Sequence, residues 1–304
     1  MDQNSKTLLN LNQWIWQSFL RVAVVPLLII ELVFVVIYFY ANSFSTNLMI
    51  DYVSEESRVE LQEIASAQAN SIQAQLLSIT NYTDYFRRLT LSAHQSNATL
   101  SEALKSRLAM TDYGAYYTAT DSSEGGVAIF YSGAVYVGEK EKQKLGQLMV
   151  LEEEMINLLE TEPLVTQIYY NTFDSLNIIY PYFDTITQYP VAMNIPDYNF
   201  YYEADSFHNP DRSIEWTGVY LDPAGQGWMA SAIAPVYTDD FLEGVVGIDV
   251  TVKTFTQTIL DMQVPYEGYG ILVSEEGTIL ALPEAGELDW NLTEYTDHTY
   301  DEAV

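Results

Sequence analysis

One apolar run constrains this chain more than any other feature. VAVVPLLIIELVFVVIYFYA, Val22 to Ala41, holds a single charge, Glu31. Its length matches the roughly 20 residues a helix needs to cross a bilayer. A secretory leader has a shorter apolar centre and ends on small residues at a cleavage site, whereas this run closes on Tyr38, Phe39 and Tyr40. It is read as an uncleaved transmembrane helix over 22–41, with Trp14, Trp16 and the closing aromatics in the interfacial belts. Glu31 is read as facing a partner helix or held protonated.

Charge then orients the chain. Residues 1–42 hold Lys6 and Arg21 against Asp2 and Glu31, so the formal net charge of −30 lies wholly in 43–304. The first charges after the run, Asp51, Glu55 and Glu56, are acidic. The basic residues before the span predict a cytoplasmic segment 1–21, anchorage in a bacterial inner membrane through 22–41, and a periplasmic or extracytoplasmic region 43–304. So acidic a surface repels phosphate, which excludes nucleic acid as a partner. Solubility, in salty surroundings for example, accounts for the acidity without a specific electrostatic role. The chain has no cysteine, hence no disulfide, no thiolate chemistry and no cysteine-based zinc site.

Ser43 to Ala93 contains neither proline nor glycine, and Leu61, Ile64, Ile72, Leu76, Ile79, Tyr82, Phe86 and Leu89 recur at helical spacing. This predicts one long helix over 43–95, about 80 Å at 1.5 Å per residue, suited to a stalk, a dimer seam or the spine of a sensor domain. Beyond Asp112 the pattern changes. VAIFYSGAVYVG (Val127 to Gly138), TQIYYNTF (Thr166 to Phe173) and NIIYPYF (Asn177 to Phe183) read as strands, with a helix between the first two that ends before Pro163. GWMASAIAPVY and LEGVVGIDVTV read as two strands joined by the acidic turn TDDF. TFTQTILDMQV reads as a short helix, and Tyr269 to Pro283 as a hairpin turning at Glu276 and Gly277. The sequence closes at Val304, before a second hydrophobic span or a cytoplasmic catalytic module, so part of a longer membrane protein is expected.

Catalytic groups are sparse. His94, His208 and His298 are widely spaced with no HExxH arrangement, and there is no GxSxG or phosphate-binding glycine loop. Asp239 and Asp240 sit in a turn, and the N-x-T matches at Asn81, Asn97 and Asn291 are short. No catalytic residue, metal or cofactor is expected. Binding groups are better supplied. The stretch WTGVYLDPAGQGWMASAIAPVY, Trp216 to Tyr237, with its neighbours offers Tyr201, Tyr202, Trp216, Tyr220, Asp222, Trp228 and Asp249. Aromatic faces attract ammonium groups and a desolvated aspartate supplies the counter-charge. The surrounding glycines and prolines indicate a loop-framed edge, although each aromatic taken alone fits a core position equally well.

YPYFD (Tyr180 to Asp184), the Trp216–Tyr237 stretch and LEGVVGIDVTV resemble the double Cache (dCache) family of bacterial extracytoplasmic sensor domains, the last two its strand pair ending in Gly-Val-x-Gly-x-Asp. The resemblance implies an α+β fold. A transmembrane helix leads into a spine helix over 43–95, a membrane-distal Cache (PAS-like) module with a curved antiparallel sheet over 96–258, and the start of a membrane-proximal Cache module over 259–304. Amino-acid-binding members use a base two residues before an aromatic, then a tyrosine, then an aspartate. Carried over, these fall on Asn199, Tyr201, Tyr220 and Asp249, with Asp222 matching a second acid of some members. Asn199 is not a base, which leaves carboxylate capture to Arg212 from the neighbouring loop. Tyr182 joins the candidate site through YPYFD. A small amine is therefore favoured over an α-amino acid. The resemblance also implies a homodimer along the spine helix and a missing output, a histidine kinase ahead of a diguanylate cyclase or chemoreceptor. Two other classes compete: an anchored ectodomain that binds a protein partner through exposed tyrosines, and a periplasmic hydrolase, which lacks a nucleophile and base. In the sensor reading, Tyr201, Tyr220 and Asp249 converge on an enclosed cavity; in the ectodomain reading they scatter over the surface.

Overall fold

The computed structural model describes residues 11–119, 126–273, 277–292 and Tyr300. Residues 1–10, Glu276 of the expected hairpin turn and His298 lie outside them. The chain divides into two compact units, Met1–Ala67 and Gln68–Val304.

Leu11–Phe19 (α1) passes through a π-helical turn, Leu20–Val24, into Val25–His94 (α2). The expected span and spine are thus one element with no break at Asn42. The reason is local: between Pro26, in its first turn, and His94 no proline or glycine interrupts the helix. The apolar part of this helix is exposed along its length and is long and apolar enough to cross a membrane. The C-terminal part buries Ile79, Thr83, Phe86, Thr90 and Ala93, a stripe at spacings of four and three. The two threonines tolerate burial because each hydroxyl donates to the carbonyl four residues back, Thr83 to Ile79 and Thr90 to Phe86, both at 2.9 Å.

Glu102–Arg107 (α3), capped by the Ser101 hydroxyl, precedes Leu108–Met110 (β1), Tyr116–Thr118 (β2) and Ala128–Tyr131 (β3). Glu139–Leu148 (α4) and Glu152–Thr161 (α5) lead to Gln167–Thr172 (β4) and Leu176–Tyr180 (β5). Two short helices follow, Thr185–Gln188 (α6) and Asn199–Tyr202 (α7), with a 3₁₀ turn at Ile195–Asp197 between them. Glu215–Trp216 (β6), Tyr220–Leu221 (β7), Trp228–Thr238 (β8) and Phe241–Thr251 (β9) come next. Val252–Leu260 (α8), Leu272–Val273 (β10), Ile279–Ala281 (β11) and Glu284–Trp290 (α9) close the described chain. The first nine strands form one open antiparallel sheet, ordered β1-β2-β3-β5-β4-β9-β8-β6 with β7 also on β8; β10 and β11 pair separately. The fold is α+β, as expected. The strand expected over Val127–Gly138 stops at Tyr131. Gly133 turns the chain there, its N–H bonded to Val191 O at 2.8 Å, and a Cβ on it would meet Tyr113 O at 2.6 Å.

Alternation gives the sheet two different faces. Ile129, Tyr131, Ile168, Tyr170, Ile178, Ala232, Ala234, Val246, Ile248 and Val250 pack with Ile79 and Phe86 of α2 and with α4 and α5. Ala128, Phe130, Tyr169, Ile179, Ile233 and Val245 pack beneath the segment 189–204. Glycines 244 and 247 serve one face each. A Cβ on Gly244 would lie 2.8 Å from Tyr170 Oη, and one on Gly247 would lie 2.0 Å from Tyr169 Cζ. The GVVG spacing therefore accommodates two neighbouring tyrosines of β4 that point to opposite sides of the sheet.

Candidate ligand-binding site

On the second face, strands β4, β5 and β9 form a floor. The segment after β5, with its 3₁₀ turn and α7, and the turn after β7 form a roof. Between them lies a cavity lined by Tyr169, Asn171, Asn177, Ile179, Tyr189, Met193, Ile195, Phe200, Tyr220, Asp222, Pro223 and Asp249. The space is about 20 Å³, enough for about one water, so a larger molecule is admitted only as the roof moves outward.

Asp249 is 2% exposed. Register places it between Gln167 of β4 and Ser231 of β8. It accepts from Ser231 Oγ at 2.6 Å and at the limit of reach from Tyr220 Oη at 3.5 Å, which also pairs with Ser231 Oγ at 2.7 Å. Burial pushes its carboxyl well above the usual carboxylate range, against the hydrogen bonds from Ser231 and Tyr220, and the neighbouring Asp222 adds to the rise. Asp222 is raised by burial too, though Gln226 N and Ala224 N donate to it at 3.0 and 2.9 Å. Tyr169 Oη is buried at the same end, where burial and the nearby Asp249 push its hydroxyl up against the pull of Ser231. No Lys, Arg or His among the described residues forms an ion pair with either aspartate.

A second, partly buried carboxylate on the other side of the sheet shows what complete pairing looks like here. Asp174 takes Lys144 Nζ at 2.5 Å, Tyr131 Oη at 2.5 Å and Thr172 Oγ1 at 2.5 Å. Burial would raise its carboxyl, but the Lys144 charge and these hydrogen bonds hold it below the usual range. Asp174 has its cation within the chain. Asp249 has none among the described residues, and it faces a cavity.

The structure brings Tyr220, Asp222 and Asp249 together at the cavity, but not Tyr201, the third residue expected there with Tyr220 and Asp249. Tyr201 is buried under the same roof, but Phe200 beside it lines the cavity, packed on Tyr169 and Tyr220 with ring centroids 5.9 and 5.6 Å away. Tyr182 packs at the margin of this layer, its hydroxyl 3.4 Å from Thr118 O. Trp216 is on the wrong face. It pairs with Ala232, whose side chain joins the helical layer, and its Nε1 donates to Thr80 of α2 at 3.2 Å. Trp228, opposite Leu221 at the strand end, is 60% exposed. Arg212 does not supply the missing base. It lies over the Tyr237 ring at 3.9 Å and pairs with Asp240 at 2.9 Å, at the hairpin end remote from Asp249. Sequence reading missed Tyr169, Asn171, Asn177, Tyr189 and Ser231. The available signal was parity: Gln167, Asn171 and Asn177 are polar residues inside strands that are apolar on both faces.

No family model matches the chain. Among solved structures it is similar to the ligand-binding domain of the Pseudomonas aeruginosa PAO1 amino-acid chemoreceptor PctC in complex with GABA. That match has 16% identity and a TM-score of 0.43, and covers 74% of this chain and 76% of that one. It is also similar to the ligand-binding domain of PctB from the same organism in complex with L-Arg, at 24% identity and a TM-score of 0.33 over 43% of this chain and 50% of that one. A third is the domain of Pseudomonas fluorescens CtaA in complex with L-serine, at 22% identity and a TM-score of 0.33 over 44% of this chain. The chain spans 50% and 59% of the last two structures. All three are ligand-binding domains of chemoreceptors, and the site described above rests on its own geometry.

Proposed function

We propose that residues 96–258 form the extracytoplasmic input module of a transmembrane signalling receptor, and that its ligand is a small amine held by Asp249 with Asp222 nearby. One observation carries this reading: a fully buried carboxylate that lines a cavity and has no basic partner among the described residues. An ammonium group offers the missing cation and donors, and Tyr220, Tyr189 and Phe200 offer ring faces. With no Lys, Arg or His in the lining, a free carboxylate on the ligand would have no counter-charge, which favours an amine over an α-amino acid.

The sheet offers a route for the signal. Tyr169 of β4 lines the cavity, while the adjacent Tyr170 shares a 2.7 Å hydrogen bond with His94 at the end of α2. A ligand that lifts the roof and repacks Tyr169 displaces β4, and with it the anchor of the spine helix. In this reading residues 1–21 are cytoplasmic, 22–41 span the inner membrane, α2 forms a homodimer seam, and residues 259–304 open a membrane-proximal module. The output is a histidine kinase, with a chemoreceptor fitting the same input equally well.

The test is thermal unfolding of the full chain in detergent with panels of primary amines and of amino acids. Ligand that binds only the folded state raises the midpoint. Amines are expected to raise it, amino acids to do so less, and Asp249→Asn to remove the amine effect. Unchanged stabilisation of Asp249→Asn refutes the site.

A further inference from the structure

The cavity has a second polar end. Asn171 and Asn177 pair across β4 and β5, are 2% and 3% exposed, and both line the cavity. The Asn177 amide donates to Asn171 Oδ1 at 2.8 Å, and Asn177 Oδ1 is buried with no hydrogen-bond partner. Whichever way the two amides are turned, one bond joins them and hydrogen-bonding capacity is left over. An unpaired buried amide of this kind is costly, and the cavity residues Ile179, Met193 and Ile195 offer it no donor through their side chains. Asp249 lies opposite Gln167, and Asn171 lies four residues further along β4. The two polar ends are therefore about 13 Å apart along the strand. Subtracting a hydrogen bond of about 2.9 Å at each end leaves about 7 Å for the ligand.

We infer that the Asn171–Asn177 pair reads the tail of the ligand, which is an elongated amine carrying an uncharged hydroxyl or carboxamide about 7 Å from its nitrogen. The inference rests on the amine reading of Asp249 and narrows it. An amide pair with both donor and acceptor capacity suits a hydroxyl or carboxamide. A plain alkyl tail would bury Asn177 Oδ1 for good.

Calorimetry on the full chain in detergent tests this with two probes that share a five-carbon chain, aminopentanol and pentylamine, the second lacking the terminal hydroxyl. Aminopentanol is expected to bind about tenfold more tightly, the equivalent of one good hydrogen bond. Asn177→Leu should reduce that ratio to about one through weaker aminopentanol binding, with pentylamine bound at least as well as before. Asn177→Asp, close in shape, should move the preference to the diamine cadaverine, which guards against a folding defect in the leucine variant. Asp249→Asn should weaken both probes alike. Equal affinities for the two probes in the wild type, or an unchanged ratio in both Asn177 variants, overturns the tail subsite while leaving the amine site standing. Failure of both probes to bind overturns the amine reading and the subsite with it.

Discussion

Gly247→Ala is the most direct test of how the cavity floor is built. The new Cβ would lie 2.0 Å from Tyr169 Cζ and 2.2 Å from its Oη. Carbon atoms rest at about 3.5–4.0 Å, so the ring has to retreat by about 1.5 Å. It has nowhere empty to go. Tyr169 is 3% exposed, Phe200 stands 5.9 Å away, centroid to centroid, and the cavity beyond holds about 20 Å³. Overpacking of this kind costs about 1–3 kcal/mol, and the depth of the clash places this case at the upper end. In a unit of this size 1 kcal/mol moves the midpoint by about 2–4 °C, so a loss of about 6–12 °C is expected. Gly218→Ala is the control: a Cβ there meets nothing within 4 Å, and its effect should stay within about 0.5 kcal/mol. In a Tyr169→Leu background the Gly247→Ala penalty should shrink, because the two sites share one contact. Thermal or urea unfolding of the full chain in detergent reads the wild type, the three single variants and the double variant. A Gly247→Ala midpoint at the wild-type value, or a penalty that persists in the Tyr169→Leu background, refutes the account of the floor.

The buried Asp249 and the partly buried Asp174 should respond to substitution with opposite signs. The folded-state carboxyl of Asp249 is raised above its unfolded value by burial. The folded protein therefore favours the protonated form, and the stability this brings is lost as pH rises from about 4 towards the folded value. Asp249→Asn removes that loss, so its urea midpoint in the absence of ligand should exceed the wild type by a margin that widens from about pH 4 to about pH 7; a margin that is flat with pH contradicts it. Lys144→Met instead strips the cation from Asp174, a pair with both side chains 16% exposed, and should cost about 3 kcal/mol near neutral pH. Urea unfolding that shows less than about 0.5 kcal/mol would mean Asp174 is held by Tyr131 and Thr172 alone.

Long-period signals were legible in the sequence, and facing was not. The apolar run, the proline-free and glycine-free spine and the β8–β9 hairpin are set by residues close together in the chain; the first two fall in one helix that ends one residue before the expected bound, and the hairpin strands lie within one position of theirs. Asp249 was legible because an acid in an apolar strand is anomalous wherever the strand lies. The aromatics were not, because an aromatic fits core and cavity alike and only pairing register separates the two. Trp216 pairs with Ala232 and goes to the helices, whereas Tyr220, four residues later, pairs with Met229 and reaches the aspartates. That difference is set by which residue of β8 each one opposes, a long-range fact that local propensity does not encode. Arg212 failed for a related reason. Its side chain is long enough to serve several sites, and the Tyr237 ring and Asp240 hold it at the hairpin end. The polar residues of β4 and β5 carried the information that was left unread. Once Asp249 is assigned to the cavity face, alternation along β9 and its register with β4 put Tyr169 and Asn171 on that face, and pairing with β5 adds Asn177. One anchored carboxylate and the strand order are therefore sufficient to generate the floor of the site, and they do so without reference to any aromatic.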